Sequence, residues 1–585
     1  MKLTPSKYVT SLIISSFIAL SLISTPTSAN AASPKAGTKC TMSGQKVTSN
    51  NLMFTCTKSG KNLVWSKGVK NNSSKSAQAS GGGPSVTEGF LCDPGKAMTG
   101  KSSAGVTLTC VKGQDGKSSW RQANQGGGNG ASQGGGNGTG QGKGDGQSQS
   151  SGASGNQLGS SCSKEGELGW NGFFVAICKS GKVRYALSAD FPKTPNGGYT
   201  SRPSWYPTLT QIMSGGDSVE PKCSPSSIKF SKPVVPLDKM APSIPYGMMV
   251  AGHVTPIDHA YLGITSLSKS KSERTESDWV SVTAPGDGTI TELSTLGAPD
   301  TNRVTINHGC NLYSVYMVLN KPSGVLAKYV DELAAKGSIN LNVKVKAGDE
   351  FGRQRDNMLD FNVFDGTQWL SGFANPVAYL TQDAWKPYTA DFLPFFTDDI
   401  RSGIEKWMQK TSSPRVGKLD HDVIGTAAGN WFLDGTFGYG GNFNSVYEKA
   451  TSTVRGGQVE GKNDYSWSHL AIAPHEVDTS QWIFSTGWWS DPKGDATQAL
   501  MVISSGQVTP DKLTSASGAI TYQLAQISYQ EPAGSPARSA GSMAPWAVGY
   551  KVISSSNKGS VTLQVNADGS LSVELGSGGK RTYRR

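Results

Sequence analysis

The stretch NRVTINHGCNLYSVYMVL, residues 302–319, decides the fold. Val304 and Ile306 alternate with polar neighbours up to Gly309, and an apolar run starts again at Leu312. Such patterning on either side of a glycine reads as two β-strands joined by a tight turn. The flanking stretches WVSVTAPGDGTITEL (279–293) and VKVKAGDEFGRQ (343–354) read the same way. One helical segment interrupts them, GVLAKYVDELAAKG (324–337), with apolar residues at helical spacing. A β domain over residues 220–390 follows.

Further along, TYQLAQISYQ, AVGYKVISS and SVTLQVNADGSLSVEL alternate in period two around turns such as Asp568-Gly569. Strands at regular spacing over residues 400–585 imply an antiparallel barrel or sandwich. The fold class expected is therefore mainly β and multidomain, with small disulfide-stapled modules preceding two larger β domains.

The chain begins with Lys2 and Lys7, an apolar run, and then small residues to Ala31. Residues 1–31 read as a signal peptide, so the expected location is secreted or cell-wall associated, with no retained transmembrane segment. The eight cysteines, an even number without a CxxC pair, agree with export and disfavour a zinc ribbon or a thioredoxin-type site. The pairing expected is Cys40–Cys56, Cys92–Cys110, Cys162–Cys178 and Cys223–Cys310.

The first six cysteines mark a weak repeat. Residues 32–68, 86–122 and 158–189 each carry a Cys, an alternating run into a second Cys, a Lys/Gly turn and then an aromatic: Trp65, Trp120 or Tyr185. Units this small bury little apolar surface, so the disulfide is expected to be their main staple. Trp65 and Trp120 read either as wall-binding side chains or as structural aromatics. Residues 69–85 and the Gly/Ser/Gln-rich 123–157 nearly lack apolar residues and are expected to be flexible linkers.

The formal net charge is +12. Its whole excess beyond the leader lies in residues 32–160, with 14 Lys and Arg against 4 Asp and Glu, and the remainder is neutral. For an exported chain this points to a cell-wall polymer or the envelope surface as partner and away from nucleic acid.

GHVTPIDHAY (252–261) concentrates His253, Asp258 and His259 in a chain with six histidines. Together with residues 279–319 and VKVKAGDEFGRQRDNMLDFNVFD (343–365), it resembles the LytM/lysostaphin-like (M23) peptidase core, in order, over about residues 250–366. The resemblance implies an antiparallel sheet that holds zinc and cleaves wall peptides. It also shows where this chain departs. Val318 stands in place of the family's Y-x-H-L histidine, and Met358 in place of the first His of H-L-H. Asp360 replaces the second, and four residues rather than three separate His253 from Asp258. Neither Val nor Met accepts a proton or supports an oxyanion, so no catalytic residue is expected and the domain reads as a pseudoenzyme.

His253, Asp258 and Asp360 remain as a one-His, two-carboxylate set, better suited to a harder cation than to tightly held zinc. The competing reading pairs Asp360 with a neighbouring His or Arg. No cofactor is expected, with zinc as the alternative. His259 is expected to point away from Asp258, on the opposite face of a strand, and His308 to support the sheet.

In the last domain, Gly429-x-Trp431 is similar to the opening of a lipocalin barrel, which would imply an apolar-ligand carrier; the alternative is an ordinary core Trp. SHLAIAPHEVDTSQWIFSTGWWSD (468–491) lacks a second HExxH histidine, since Thr479 stands there. Trp488 and Trp489 read as a sugar-stacking pair or as core aromatics. Three functions remain: a non-catalytic wall-binding or scaffolding protein, a divergent zinc endopeptidase acting on peptidoglycan peptides, and a carrier.

Overall fold

The computed structural model describes short segments between residues 37 and 122 and most of 157–585. The leader and most of both linkers lie outside the described residues. The chain divides into two units, Met1–Gly146 and Gln147–Arg585. In the first, strands at Lys46–Ser49, Leu52–Ser59, Asn62–Trp65 and Val69–Lys70 form one antiparallel sheet, and Thr99–Lys101, Thr107–Lys112 and Ser118–Gln122 form another. Register places Trp65 opposite Cys56 and Trp120 opposite Cys110. Cys56 is disulfide-bonded, with a partner outside the described residues.

The second unit opens with the third Cys-pair module, strands β1 (Leu168–Trp170), β2 (Val175–Lys179) and β3 (Lys182–Tyr185), closed by Cys162–Cys178. This module is not held by its disulfide alone. Trp170, Phe174, Ile177 and Tyr185 share a buried cluster with Tyr313, Val315, Phe364 and Tyr388 of the domain that follows.

That domain is built on strands β4 (Met240–Ile244), β5 (Ala260–Ile264), β6 (Val280–Thr283), β7 (Gly288–Thr295), β8 (Asn302–Gly309), β9 (Leu312–Leu319), β10 (Lys321–Pro322), β11 (Ser338–Val345), β12 (Glu350–Gln354) and β13 (Met358–Asp365). The principal sheet runs β4-β5-β13-β9-β8-β7-β11, and a smaller one β6-β12-β10. The opening stretch is the β8–β9 hairpin. Gly309, Cys310 and Asn311 turn it at positive φ, and Cys310 is disulfide-bonded to Cys223, 87 positions earlier. The helical segment becomes a 3-10 turn leading into α1 (Val330–Lys336), stopped by Gly337 in the left-handed region, where glycine carries no Cβ penalty.

Strand alternation separates two faces. Leu359, Phe361 and Val363 enter one core with Leu262, Val304, Ile306 and Tyr316, where each fully buried large side chain contributes about 1.5–3 kcal/mol. Asp360, Asn362 and Phe364 face the other way. The first core also takes Ile400 and Ile404 of α2 (Asp398–Glu405), Met408 and Val416. Residues up to about 416 therefore pack with the sheet.

The remainder is a closed eight-strand antiparallel barrel: β14 (Gly429–Leu433), β15 (His469–Pro474), β16 (Trp482–Thr486), β17 (Gln498–Ile503), β18 (Ile520–Gln530), β19 (Lys551–Val565), β20 (Leu571–Leu575) and β21 (Lys580–Arg584). The Asp568-Gly569 turn joins β19 to β20, with Gly569 at φ 80°. Trp431, Leu470, Ile472, Phe484, Val561, Leu563, Leu571 and Val573 point inward and each is 0% exposed. These side chains are wholly buried against one another, so Trp431 is a core residue. Arg585 stacks its guanidinium 4.1 Å above the Trp431 ring and donates to the carbonyls of Ala428, Val423 and Thr426. Outward-facing Ala471, Ala473 and Ile483 pack on Met249 of the sheet domain.

Candidate functional site

The loop before β5 carries His253, Asp258 and His259. Regular strand begins only at Ala260, so the two-residue alternation that would send His259 away from Asp258 does not apply. His259 Nδ1 lies 3.1 Å from Asp258 Oδ1, and its Nε2 lies 3.6 Å from Asp360 Oδ2. The imidazole stands between the two carboxylates.

Asp258 has two further partners. Trp385 Nε1 donates to its Oδ2 at 2.9 Å, and the buried Lys386 ammonium is 3.5 Å from Oδ1. Lys386 also lies 4.9 Å from the Tyr439 ring centre. His253 packs edge-on against His259, with ring centres 5.3 Å apart. Asp360 is flanked in the sheet by Tyr261 and Met317.

The charges follow from these positions. Burial would raise the Asp258 pKa, but Lys386 and His259 outweigh it and hold this carboxyl well below the usual range. Burial disfavours a charged His259, and Asp360 and Asp258 reverse that, raising its pKa. Burial pushes Asp360 up to about 6, against the pull of His259 and with the push of Asp258. Burial likewise lifts Asp383 to about 6, despite Lys386. Burial, with His259 and Lys386 nearby, takes His253 down to about 3, leaving the ring neutral.

A carboxyl whose pKa rises on folding contributes stability below its unfolded value, and that contribution is lost as pH climbs through the folded value. For Asp360 the window runs from 3.8 to about 6. Asp360→Asn should flatten the fall in Tm between these pH values, as followed by thermal melts in matched buffers; an unchanged slope would remove Asp360 as its source.

These residues do not fit zinc. A zinc site needs ligands converging on one point at about 2.0–2.2 Å. Here His259 separates Asp258 from Asp360, and the Lys386 ammonium places a positive charge against the carboxylate. Among the described residues no three His, Cys, Asp or Glu side chains are grouped to hold a metal ion. His253, Asp258 and Asp360 thus lie in an ion-paired cluster, in which the partner of Asp360 is His259.

Met358 and Val318, singled out in the sequence, have different surroundings. Met358 packs with Ile244, Met248, Ile257 and, from the barrel, Val477. Val318 sits at φ 52°, an unusual conformation for a β-branched residue, with its carbonyl accepting from Gln354 Nε2 at 3.3 Å. His308 is hydrogen-bonded at both ring nitrogens. Its Nδ1 donates to the Asp287 carbonyl at 2.8 Å and, in the neutral ring, its Nε2 accepts from Ser314 Oγ at 2.8 Å. Burial lowers its pKa to about 4, which favours that neutral form.

The face of the sheet bearing Asp360, Asn362 and Phe364 is roofed by the chain itself. Module 3, residues 205–209 and residues 377–388 cover it, with Phe437 and Tyr447 from the segment between β14 and β15. Asp258, Asp360 and Asn362 are each at most 5% exposed.

Trp489 is not available for stacking a sugar. It is buried in the barrel wall, stacked on Tyr583, with its Nε1 donating to the Gly578 carbonyl and Arg581 across its ring. Trp488 lies outside the described residues, as does the Trp120 side chain; Trp65 is half-buried. His475 Nδ1 accepts from the amides of Val477 and Asp478, closing a turn, and Glu476 pairs with Lys410. Neither is placed as a metal ligand. Lys386 and Trp385 carried no sequence signal, since nothing in QDAWKPY marks the segment as lying over the groove.

No family model and no curated protein matches the chain. Among solved structures, the SpoIIQ–SpoIIIAH pore-forming complex aligns at 15% identity and a TM-score of 0.17, over 24% of this chain and 85% of that one. CbpA from L. salivarius REN aligns at 16% identity and a TM-score of 0.12, over 22% and 67%. Lysostaphin, in its solution structure, aligns at 10% identity and a TM-score of 0.18, over 48% and 96%. These values are too low to transfer fold or function. Among the described residues no helix is long and apolar enough to cross a membrane.

Proposed function

We propose that this is an exported, non-catalytic envelope protein: a rigid β body carried on a basic arm that holds an anionic wall polymer. The observation that carries the reading is the roofed groove. Module 3 and residues 377–388 occupy the sheet face over which a peptide would lie, and Lys386 and Trp385 take up the carboxylate of Asp258. The charge distribution supports the second half, because the basic excess beyond the leader lies wholly in residues 32–160. Attraction of that kind is screened over about 8–10 Å at physiological salt.

The test is sedimentation of the full chain with purified cell walls, beside a dye-release assay on the same walls. Retention should fall at least tenfold between low salt and about 1 M salt, where screening is nearly complete, and no dye should be released. Release that disappears in His253→Ala would establish the peptidase instead; salt-independent retention would remove the anionic polymer as partner.

A further inference from the structure

The pair Lys386 and Asp258 has a chemical possibility that an ordinary ion pair lacks. Both side chains are buried, with the amine nitrogen 3.5 Å from Asp258 Oδ1. Water is kept away by the roof, and the Tyr439 ring centre lies 4.9 Å from the amine. A buried ion pair bears the desolvation of two charges, whereas an amide made from the same groups bears none. The other carboxylate oxygen, Oδ2, accepts the Trp385 indole N–H at 2.9 Å, where an oxyanion donor would stand in acyl transfer. His259 Nδ1 reaches Oδ1, and Asp383, three residues before the lysine, interacts electrostatically with Lys386, Asp258 and His259. Nucleophile, acceptor, oxyanion donor and proton carriers are thus gathered in one dry place, the condition under which proximity replaces an external catalyst.

We propose that Lys386 and Asp258 condense into an intramolecular isopeptide bond that fastens residues 377–388 covalently over the sheet. The ammonium passes one proton to the carboxylate, directly or through His259 or Asp383. The neutral amine attacks the Asp258 carboxyl carbon, its second proton moves to a carboxyl oxygen, and that oxygen leaves as water. A C–N bond forms, a C–O bond breaks, and no oxidant or reductant takes part.

The neighbouring buried pair, Lys410 with Glu476 at 3.2 Å, makes a useful contrast. There the carboxylate oxygens accept from the Lys418 amide and His421, and the pair serves as the internal comparison for the mass measurement. The proposal goes beyond the wall-binding reading and does not depend on it.

The experiment is intact-mass spectrometry of the reduced, denatured full chain, followed by peptide mapping. The wild type should be lighter than its sequence by the mass of one water, with a branched peptide joining residue 258 to residue 386. Lys386→Arg should restore the full mass, and Asp258→Asn should instead lose the mass of one ammonia or remain uncondensed. A wild-type chain of full mass overturns the proposal, whether or not either variant folds. A deficit that persists in Lys386→Arg, or that maps to Lys410 and Glu476, overturns the assignment.

Discussion

Glu476→Ala is expected to lower the stability of the unit comprising residues 147–585 by about 3–5 kcal/mol, the range for removing one partner of a buried ion pair. Glu476 receives the Lys410 ammonium at 3.2 Å, the Lys418 amide at 2.9 Å and His421 Nε2 at 3.0 Å, and both Glu476 and Lys410 are buried. Alanine leaves the ammonium and the amide in a dry site, with the Glu476 carbonyl, already bound to Lys410 at 2.9 Å, as the remaining acceptor for the amine. These groups sit where the sheet domain meets the barrel, beside Gly247, whose φ of 80° lets its backbone pass the Lys418 carbonyl without a Cβ in the way. The loss should therefore appear in both domains at once. Guanidinium unfolding followed by tryptophan fluorescence measures it, and the double variant Glu476→Leu, Lys410→Met should recover most of the loss, because the uncompensated charge is gone. A single-variant loss below 1 kcal/mol would mean that water reaches the site.

Trp431→Ala is expected to cost about 3–5 kcal/mol, through lost transfer energy and the cavity left in a filled barrel. The ring is wholly buried, its Nε1 donates to the Ala427 carbonyl at 2.9 Å, and Arg585 covers one face. Arg585→Ala should cost less, since a cation–π contact contributes about 0.5–2 kcal/mol. The same Trp431→Ala protein, soaked with small apolar molecules, tests the carrier reading. A filled interior predicts uptake by the variant but not by the wild type; uptake by the wild type would show a cavity.

The parts of this fold legible in the sequence are those governed by local pattern. The 302–319 hairpin, the 324–337 helical turn, the Asp568-Gly569 turn and the alternating strands of the barrel all announce themselves within a dozen residues. The Cys162–Cys178 and Cys223–Cys310 disulfides also matched their expected pairing. What the sequence could not disclose was the company kept across long distances. Ile400, Ile404, Met408 and Val416 carry no mark assigning them to the preceding domain, and Lys386 looks like any surface lysine. Val318 and Met358 are legible only as departures from the motifs that the stretch resembles. That His259 would lie between two carboxylates depended on where a loop becomes a strand, a boundary that residue identities specify poorly.

Closure of the barrel has one more consequence. Its first strand, β14, pairs with its last, β21, bringing Leu433 against Tyr583 across 150 positions of chain. Contacts so remote in sequence form late, because the loop entropy is lost before the pairing rewards it. Until then both terminal strands present bare edges capable of joining another chain. A half-made barrel is a hazard, and folding of this region is a race between closure and aggregation, won most readily when few such chains are unfolded together.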